Sequence, residues 1–332
     1  LIPKNKKLVK EYIEKAAKLK LNRVEKSNRN QTTSKYELQN LGLNTEKSEF
    51  GGLFIEPSNR LFFFLGQQQK LRKKLISSNQ IYNLYKTTID LESLDNNLIE
   101  EFDSKFNSIY QDGPISINPI SKMLYLTRTT NNINNNKQIQ LDIFQIPFQN
   151  IGKEFPRALE LNIDGYTSFH PSISPDGKTL YFSSDRPGGY GGMDIYYVSL
   201  ENDNLVGEVK NLGPDINSEK DEVFPFSFSN KVLFYSSNQN IENKFNVLLA
   251  INRIHSRWEK HLLGSPFNSE EDDTSFSIDE STKIGFISSN RKGGKGDDDI
   301  YVFKFTPDIL GEMDKYDFFG TDTLVVGLNN IL

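Results

Sequence analysis

The sequence has no cysteine, three histidines and a single tryptophan among its 332 residues. The absence of cysteine excludes disulfide scaffolds, cysteine-ligated zinc, iron–sulfur clusters and thiol nucleophiles. With His170, His255 and His261 alone, there is also little material for a histidine-based metal or catalytic site. Basic residues number 39 against 44 acidic ones, so the net charge of −5 lacks the basic excess expected of a nucleic-acid-binding protein. No run approaches the roughly 18 apolar residues of a membrane-spanning helix.

What the chain does have is aromatic residues and asparagine. Hydrophobic residues make up 36%, and they include 24 Phe and 14 Tyr, which favour strands over helices. The 34 Asn residues favour turns and loops, and several are crowded into residues 131–136. The composition therefore predicts many short strands joined by polar loops.

The two ends of the chain differ from the middle. Apolar residues within 4–20 recur roughly at helical spacing after Pro3, and residues 25–34 read as a polar linker. We therefore expect residues 1–34 to be a short helix and linker that end a preceding helical domain; a membrane-surface role is the alternative, but the apolar face is thin. Since the first residue is Leu1, we expect a processed or cropped piece of a longer protein, with 306–332 as a strand or linker to a following domain.

The middle of the chain repeats itself. The clearest unit spans residues 168–200, where two strands flank Ser174-Pro175-Asp176-Gly177 and a Gly-rich turn precedes a third strand. Residues 274–305 follow the same plan, and 223–251 follow it with the Gly pairs eroded. Weaker copies lie at 113–146 and 51–89.

The spacing of equivalent positions is regular. Ser183, Ser236 and Ser288 lie at intervals of 53 and 52 residues. The residues that open the third strand follow one another at intervals of 52, 52 and 53: Asp142, Asp194, Asn246 and Asp299. A further strand-like element precedes each next unit. Five copies of a four-stranded unit of about 50 residues predict an all-β protein, a β-propeller over residues 35–305.

Local chemistry agrees with this plan. Strand alternation places Leu180 and Phe182 on one face and Tyr181 on the other, so neighbouring blades can bury apolar rows on both sides. The Pro-Asp-Gly sequence supplies the fixed and positive φ values of a hairpin turn. The Asp at the entry of the third strand, such as Asp194, is expected to accept hydrogen bonds from the backbone or from Ser or Arg.

The number of predicted strands at each end of the repeat region indicates how the ring closes. Residues 35–44 read as a fourth strand with no blade before them, whereas the last unit has three strands and no fourth. Pairing the two would close a ring of five blades and hide both sheet edges. A six-bladed ring is the alternative if residues 306–332 contribute, notably Thr323–Leu328.

Three motifs carry a resemblance to a known family. Residues 174–196 (SPDGKTLYFSSDRPGGYGGMDIY), 211–226 (NLGPDINSEKDEVFPF) and 288–303 (SSNRKGGKGDDDIYVF) resemble the WD40-like Pro-Asp propeller repeats also found in TolB. They look most like the subgroup in OmpA-family cell-envelope proteins of Bacteroidota. The chain departs from the pattern at residues 238–246 and in the Asn-rich second unit.

The resemblance implies a place in the cell envelope. Members of this family are often outer-membrane lipoproteins or periplasmic proteins, and several are associated with type IX secretion and gliding motility. Their peptidoglycan-binding residues belong to an OmpA-like domain, which this chain lacks. The implied location is the periplasm, associated with the outer membrane through a lipid anchor outside this sequence.

Catalytic interpretations of the sequence are weak. Asp272 and Asp273 could be drawn as the carboxylates of a glycoside hydrolase, but they occupy a repeat position. The G-x-S-x-G elbow of a serine hydrolase is absent. We expect His170 to be packed or hydrogen-bonded in its strand, and His255 and His261 to lie at a solvated edge.

Loop residues offer candidates for partner contact. The run 293–299 (GGKGDDD) lacks both the Lys-Ser/Thr ending of a P-loop and the spacing of an EF-hand calcium loop, so no metal or cofactor is assigned. Arg186, Tyr190 and Arg291 could contact a partner, while the alternative for each is a role in bracing its own repeat.

Two functions follow as hypotheses. The first is a non-catalytic protein-interaction scaffold of the envelope, binding outer-membrane or periplasmic proteins and reaching peptidoglycan only through a domain absent here. The second is a glycan-binding or glycan-cleaving propeller, which a central pocket with carboxylates and exposed aromatic rings would favour.

Overall fold

The computed structural model describes residues 37–304, apart from 57–59, 68–81, 91, 104–105, 108–110, 240–241, 254–256 and 280. The chain divides into two units, 1–35 and 36–332, and every described residue belongs to the second. The helix and linker predicted within 1–34, and the strand predicted after residue 306, lie outside the described residues.

Within the described residues, twenty strands form five antiparallel four-stranded sheets, the blades of a propeller. Blade 1 contains β2 (Glu49–Glu56), β3 (Leu61–Gln67), β4 (Tyr82–Thr88) and β5 (Glu100–Glu101). Blade 2 contains β6 (Asp112–Ile117), β7 (Met123–Ile133), β8 (Ile139–Pro147) and β9 (Arg157–Ala158), with a 3₁₀ turn at Phe148–Asn150. Blade 3 contains β10 (Ser168–Ile173), β11 (Thr179–Ser184), β12 (Asp194–Glu201) and β13 (Asn204–Asn211). Blade 4 contains β14 (Glu222–Ser229), β15 (Val232–Ser237), β16 (Asn246–Asn252) and β17 (Trp258–Leu262). Blade 5 contains β18 (Asp273–Asp279), β19 (Ile284–Ser289), β20 (Asp299–Lys304) and β1 (Gln39–Asn40).

The blades form a closed ring of five. The first strand of each blade contacts the first strand of the next, from β2 through β6, β10 and β14 to β18, and β18 returns to β2. The predicted all-β, five-bladed propeller is therefore confirmed. Since blade 5 already contacts blade 1, the ring has no room for a sixth blade.

The ring closes by the predicted exchange between the two ends of the chain. β1 pairs with β20 in the register Gln39↔Val302 and Asn40↔Tyr301. The Asn40 side-chain amide donates to the Asp299 carboxylate at 2.6 Å. The outer edge of β20 is thus covered by residues that precede blade 1, which removes an unpaired strand edge.

Among the described residues, the core consists of five apolar clusters, one at each junction between blades. Leu180 and Phe182 are fully buried between blades 2 and 3, while Tyr181 packs between blades 3 and 4. Burying one such side chain contributes roughly 1.5–3 kcal/mol, so the blade faces hold the ring together. The alternation predicted for β11 is confirmed.

An asparagine side chain joins each blade to the connection that leads into the next. In blade 3 the Asn217 side chain accepts the Ile195 backbone N–H at 2.8 Å and donates to its carbonyl at 3.0 Å. The same two-way bond recurs in the other four blades: Asn107 with Leu84, Asn162 with Ile143, Asn268 with Val247, and Asn44 with Ile300. Each amide thereby replaces a missing strand neighbour on the third strand.

The Gly-rich turns are fixed from both sides. Asp194 accepts the backbone N–H groups of Tyr190 (2.6 Å) and Gly191 (3.1 Å), as expected for the residue that opens the third strand. A side chain at Gly191 would meet the Lys220 carbonyl oxygen at 2.2 Å, and one at Gly296 would meet the Lys47 carbonyl at 1.7 Å. Glycine is required at both positions because the turn lies directly against the backbone of the next blade.

Candidate functional site

A pocket of about 330 Å³ lies on the axis of the ring, where the first strands of all five blades meet. Each blade supplies one run of lining residues: 51–55, 114–117, 170–173, 224–228 and 275–279. Its volume is within the range of sites for small ligands. The axis is therefore the candidate functional site.

All five lining strands are irregular at the same point of the repeat. Each has a β-bulge or shift of register near its start, for example between Phe169 and Ser172 in β10. At that bulge His170, Phe224 and Ser275 have φ values of +54°, +51° and +53°. Non-glycine residues in this region cost roughly 1–3 kcal/mol each and cluster at functional sites.

His170 is held by its neighbours at the bulge of β10. Its side chain is 8% exposed, and the backbone N–H of Phe224 donates to its Nδ1 at 3.3 Å. The ring lies between those of Phe169 and Phe224, with centroids 3.8 and 3.7 Å away. Burial lowers the pKa of His170 to about 3, so the ring is neutral, and because Nδ1 accepts, the proton is on Nε2. The expectation that His170 is packed and hydrogen-bonded is confirmed.

The wall of the pocket is mostly apolar. Phe224, Phe226 and Phe228 of β14 line it, and all three remain half-buried rather than fully covered. Lys122 and Asp279 are the charged residues of the lining. The Asp279 carboxylate accepts from the hydroxyl of Ser281 and the backbone N–H of Thr282, each at 2.7 Å, so it caps its own turn.

Serine hydroxyls in the pocket wall join neighbouring blades. Ser116 accepts the backbone N–H of Ile173 at 3.0 Å, and Ser172 accepts that of Ser227 at 2.9 Å. Ser277 donates to the carbonyl of Gly52 at 2.7 Å. These hydroxyls are engaged in holding the ring, which explains why serine recurs in the first strands.

Arg186 lies inside its blade. Its side chain is 7% exposed, and its guanidinium donates to the Leu161 carbonyl and to the Ser168 hydroxyl. The guanidinium also lies over the rings of Phe182 and Tyr196, at 4.7 and 5.2 Å. Burial lowers the pKa of Arg186 to about 10. These contacts match the alternative in which the side chain braces its own repeat.

Arg291 takes the equivalent position in blade 5. Its guanidinium donates to the buried Asp273 carboxylate at 2.6 Å and to the carbonyls of Pro266 and Phe267, both at 2.9 Å. Asp273 also accepts from the Ser269 hydroxyl at 2.9 Å. Asp273 and Arg291 therefore tie the connection from blade 4 to the start of β18.

Tyr190 is placed differently from the two arginines. Half of it is exposed, at 50%, and it lies in the Gly-rich turn between β11 and β12. The carboxylate of Asp194 fixes the backbone of that turn, so the fold sets the point from which the ring extends. Of the three predicted contact residues, Tyr190 presents the most surface to a partner.

The other candidates for chemistry serve the turns. Asp272 accepts the backbone N–H of Phe245 at 2.8 Å. His261 lies on the outer strand β17 with its Nε2 3.3 Å from Glu259, and His255 lies outside the described residues. Asp299, the last residue of the GGKGDDD run, accepts the backbone N–H groups of Lys295 and Gly296. In the part of the chain that the structure describes, no group of three or more acidic or histidine side chains is placed to hold a metal ion.

Sequence reasoning missed two sets of residues that the structure brings together. The first is the five asparagines at the blade connections; each ends one of the strand-like segments that precede the next repeat, so their recurrence was a usable signal. The second is the half-buried row of phenylalanines in β14. No spacing distinguishes this row from an ordinary buried strand, since the ring axis is defined only once all five blades are in place.

No family model matches the chain, and no curated protein matches it either. Among solved structures, TolB from Acinetobacter baumannii is similar with a TM-score of 0.42 and 14% identity, over 81% of this chain and 63% of that one. An α-L-arabinofuranosidase from Lactobacillus brevis has a TM-score of 0.45 and 12% identity, over 82% of this chain and 92% of that one. An arabinanase from Bacillus subtilis has a TM-score of 0.48 and 9% identity, over 82% of this chain and 97% of that one.

These likenesses are distant. This chain spans less than two thirds of the length of the TolB chain. No statement about activity or partners follows from similarities at this level. The described residues also contain no helix long and apolar enough to cross a membrane.

Proposed function

We propose that this propeller is a non-catalytic protein-interaction scaffold of the cell envelope, with outer-membrane or periplasmic proteins as partners. The observation that carries the proposal is the turn that presents Tyr190. Its backbone is held by Asp194, and Gly191 lies against the carbonyl of Lys220 in the connection to blade 4. An exposed aromatic side chain on a rigid loop binds a protein surface with little loss of conformational entropy, and tyrosine is enriched at the energetic centres of interfaces.

The ionisable groups near the ring support a scaffold over an enzyme. Asp194, Asp273 and Asp299 accept hydrogen bonds from their own blade or its neighbour, which leaves them holding turns. Glycan cleavage commonly requires two carboxyl groups across a substrate. Among the described residues, the pocket lining contains one carboxyl group, that of Asp279, which caps its own turn.

The more specific part of the proposal comes from the Pro-Asp repeat motifs. By their likeness to OmpA-family envelope proteins, we infer a periplasmic location at the outer membrane and an association with type IX secretion or gliding. Peptidoglycan would be reached through a separate OmpA-like domain. Fractionation of cells that produce the full-length protein should recover it with the outer membrane, and recovery in the cytosol would contradict this location.

A cross-linking experiment in producing cells tests the scaffold. The wild-type protein should co-purify with a defined outer-membrane or periplasmic protein, and Tyr190→Ala should reduce that recovery about tenfold, as expected for loss of an interface anchor. Phe155→Ala is the matched control, because Phe155 is 81% exposed and follows a third strand, at the opposite end of the blades. Absence of any envelope partner for the wild-type protein would refute the scaffold. Equal recovery with Tyr190→Ala would refute only the role of this turn.

A further inference from the structure

We propose that the pocket on the ring axis binds a small, neutral, largely aromatic molecule that carries a hydrogen-bond acceptor. This site is separate from the turn that presents Tyr190 to a protein partner, and neither proposal depends on the other. Four features of the pocket support it: the strain at its bulges, its half-buried aromatic wall, an unused donor on His170, and the uncharged wall formed by its described strand residues.

The positive φ at the bulge recurs in the repeat, but a non-glycine residue is not required there. Blade 1 has glycine at this point, Gly51 with φ +70°, whereas blades 3 and 4 have His170 and Phe224. Both of these precede proline, which restricts their backbone further. What the non-glycine side chains achieve is a stacked pair of rings, 3.7 Å between centroids, in the pocket lining. A strained arrangement that the repeat does not need is typical of a binding site.

The aromatic wall is incompletely covered by the protein. Phe226 and Phe228 pack partly against the core between blades 4 and 5, yet both remain half-buried and line the pocket. Apolar surface left in water costs roughly 25 cal/mol per Å², and a ligand ring placed against this wall would recover that free energy. Aromatic rings prefer offset-stacked or edge-on partners, which favours an aromatic ligand.

The polar specificity comes from His170. Its Nδ1 is occupied by the Phe224 N–H, and among the described residues no group accepts a hydrogen bond from Nε2. A side chain that is more than nine-tenths buried and lines the pocket therefore retains one N–H donor. Apolar pockets with a small number of placed polar groups are the usual form of ligand sites, and here the donor selects for a carbonyl, ether or hydroxyl oxygen.

The uncharged wall formed by the described strand residues selects a neutral ligand. Among the described lining residues, the charged ones are Lys122, in the turn before β7, and Asp279, at the end of β18. The strand residues between Gly51 and Ile278 that form the wall are apolar, serine or the neutral His170. Placing a charged group there would cost several kcal/mol without a partner.

A matched pair of probes tests the proposal on the whole chain. 2-Acetylnaphthalene carries a carbonyl acceptor, and 2-isopropylnaphthalene has nearly the same shape without it. Ligand-observed NMR should show one site per chain, with the acetyl compound binding roughly three- to tenfold more tightly, the effect of one hydrogen bond. Labelling of histidine with ¹⁵N should show a shift at Nε2 of His170 with the acetyl compound alone.

Variants then locate the site. His170→Gly keeps a residue that tolerates positive φ and should abolish the preference for the acetyl compound. The backbone at Phe226 does not have a positive φ, so alanine fits there without strain. Phe226→Ala should weaken the binding of both probes about tenfold. Leu262→Ala, at a 65% exposed position on the outer strand β17, is the control and should bind as the wild type.

Each outcome decides the proposal. Failure of the wild-type protein to bind either probe up to the solubility limit would overturn it, as would equal affinity for the two probes. Unchanged binding by Phe226→Ala would show that the probes bind elsewhere and would overturn it too. If His170→Gly does not fold, Phe226→Ala and the Nε2 signal still decide the location and the donor.

Discussion

At the scale of a single residue, His170 makes the stability of the ring depend on pH. In an unfolded chain its pKa is about 6.5, whereas burial in the folded protein lowers the pKa to about 3. Below about pH 6.5 the unfolded chain therefore binds a proton that the folded protein does not. The free energy of unfolding therefore contains the full contribution of the neutral His170 above that pH. It loses this contribution progressively as the pH falls from about 6.5 towards 3.

His170→Gly should remove this dependence. Between about pH 7 and about pH 4.5, the wild-type protein should lose about 2–3 kcal/mol more of its free energy of unfolding than the variant does, at 1.36 kcal/mol per pKa unit. Urea unfolding of both proteins at the two pH values measures the difference. Burial raises the pKa of Glu222, which acts in the opposite direction, but that carboxyl is present in both proteins and cancels. An equal loss in the two proteins would mean that His170 is protonated in the folded state.

The two arginines show what a sequence leaves undecided about single residues. Arg186 and Arg291 stand beside Gly-rich turns, and that position predicts an exposed loop. The structure turns both guanidinium groups inward, onto backbone carbonyls of the preceding connection and onto the rings of Tyr196 and Tyr301. Direction of a long side chain depends on residues about 25 positions earlier in the chain, Leu161 and Pro266, which the local motif does not contain.

At the scale of the element, the asparagine in each connection replaces a strand. Asn217→Ala should leave the backbone N–H of Ile195 buried without its acceptor and should lower the free energy of unfolding by about 1–3 kcal/mol. Asn217→Asp should lower the free energy of unfolding by at least as much, because a carboxylate oxygen would then face the Ile195 carbonyl. Chemical denaturation measures both variants. The control is Asn204→Ala, an exposed position on β13 where less than about 0.5 kcal/mol is expected.

The outcome separates a structural bond from a coincidence of spacing. If Asn217→Ala and Asn204→Ala cost the same, the repeated amide contributes nothing to the ring. If Asn217 matters, the equivalent change at Asn162 should cost a similar amount, since its side chain makes the same bonds with Ile143 at 2.9 Å.

The elements themselves were largely predictable, and the site was not. The spacing of Ser183, Ser236 and Ser288 gave the repeat because each occupies the same place in a second strand. The strand at residues 35–44 could be assigned to the last blade by counting. The pocket on the axis could not be predicted, because its wall joins residues from 51 to 279 and takes its shape from bulges whose backbone angles no single repeat specifies.

At the scale of the whole molecule, closure of the ring makes the blades depend on one another. Leu41 follows β1 and is fully buried in the cluster between blades 5 and 1, with Phe54 and Ile300. Leu41→Ala should therefore lower the free energy of unfolding by about 2–5 kcal/mol, as other large-to-small substitutions in a core do. If the ring unfolds as one unit, that loss should be felt equally in every blade.

The single tryptophan allows this cooperativity to be measured. Trp258 lies on β17 in blade 4, so its fluorescence reports a blade that Leu41 does not touch, while far-UV circular dichroism reports all the strands. In Leu41→Ala the two urea midpoints should shift together by the same amount, whereas Leu262→Ala should leave both at the wild-type value. A fluorescence midpoint that stays in place while the dichroism midpoint falls would show that blade 4 unfolds independently. Closure by β1 would then stabilise only its own junction, and the pocket on the axis would depend on a local contact instead of the whole ring.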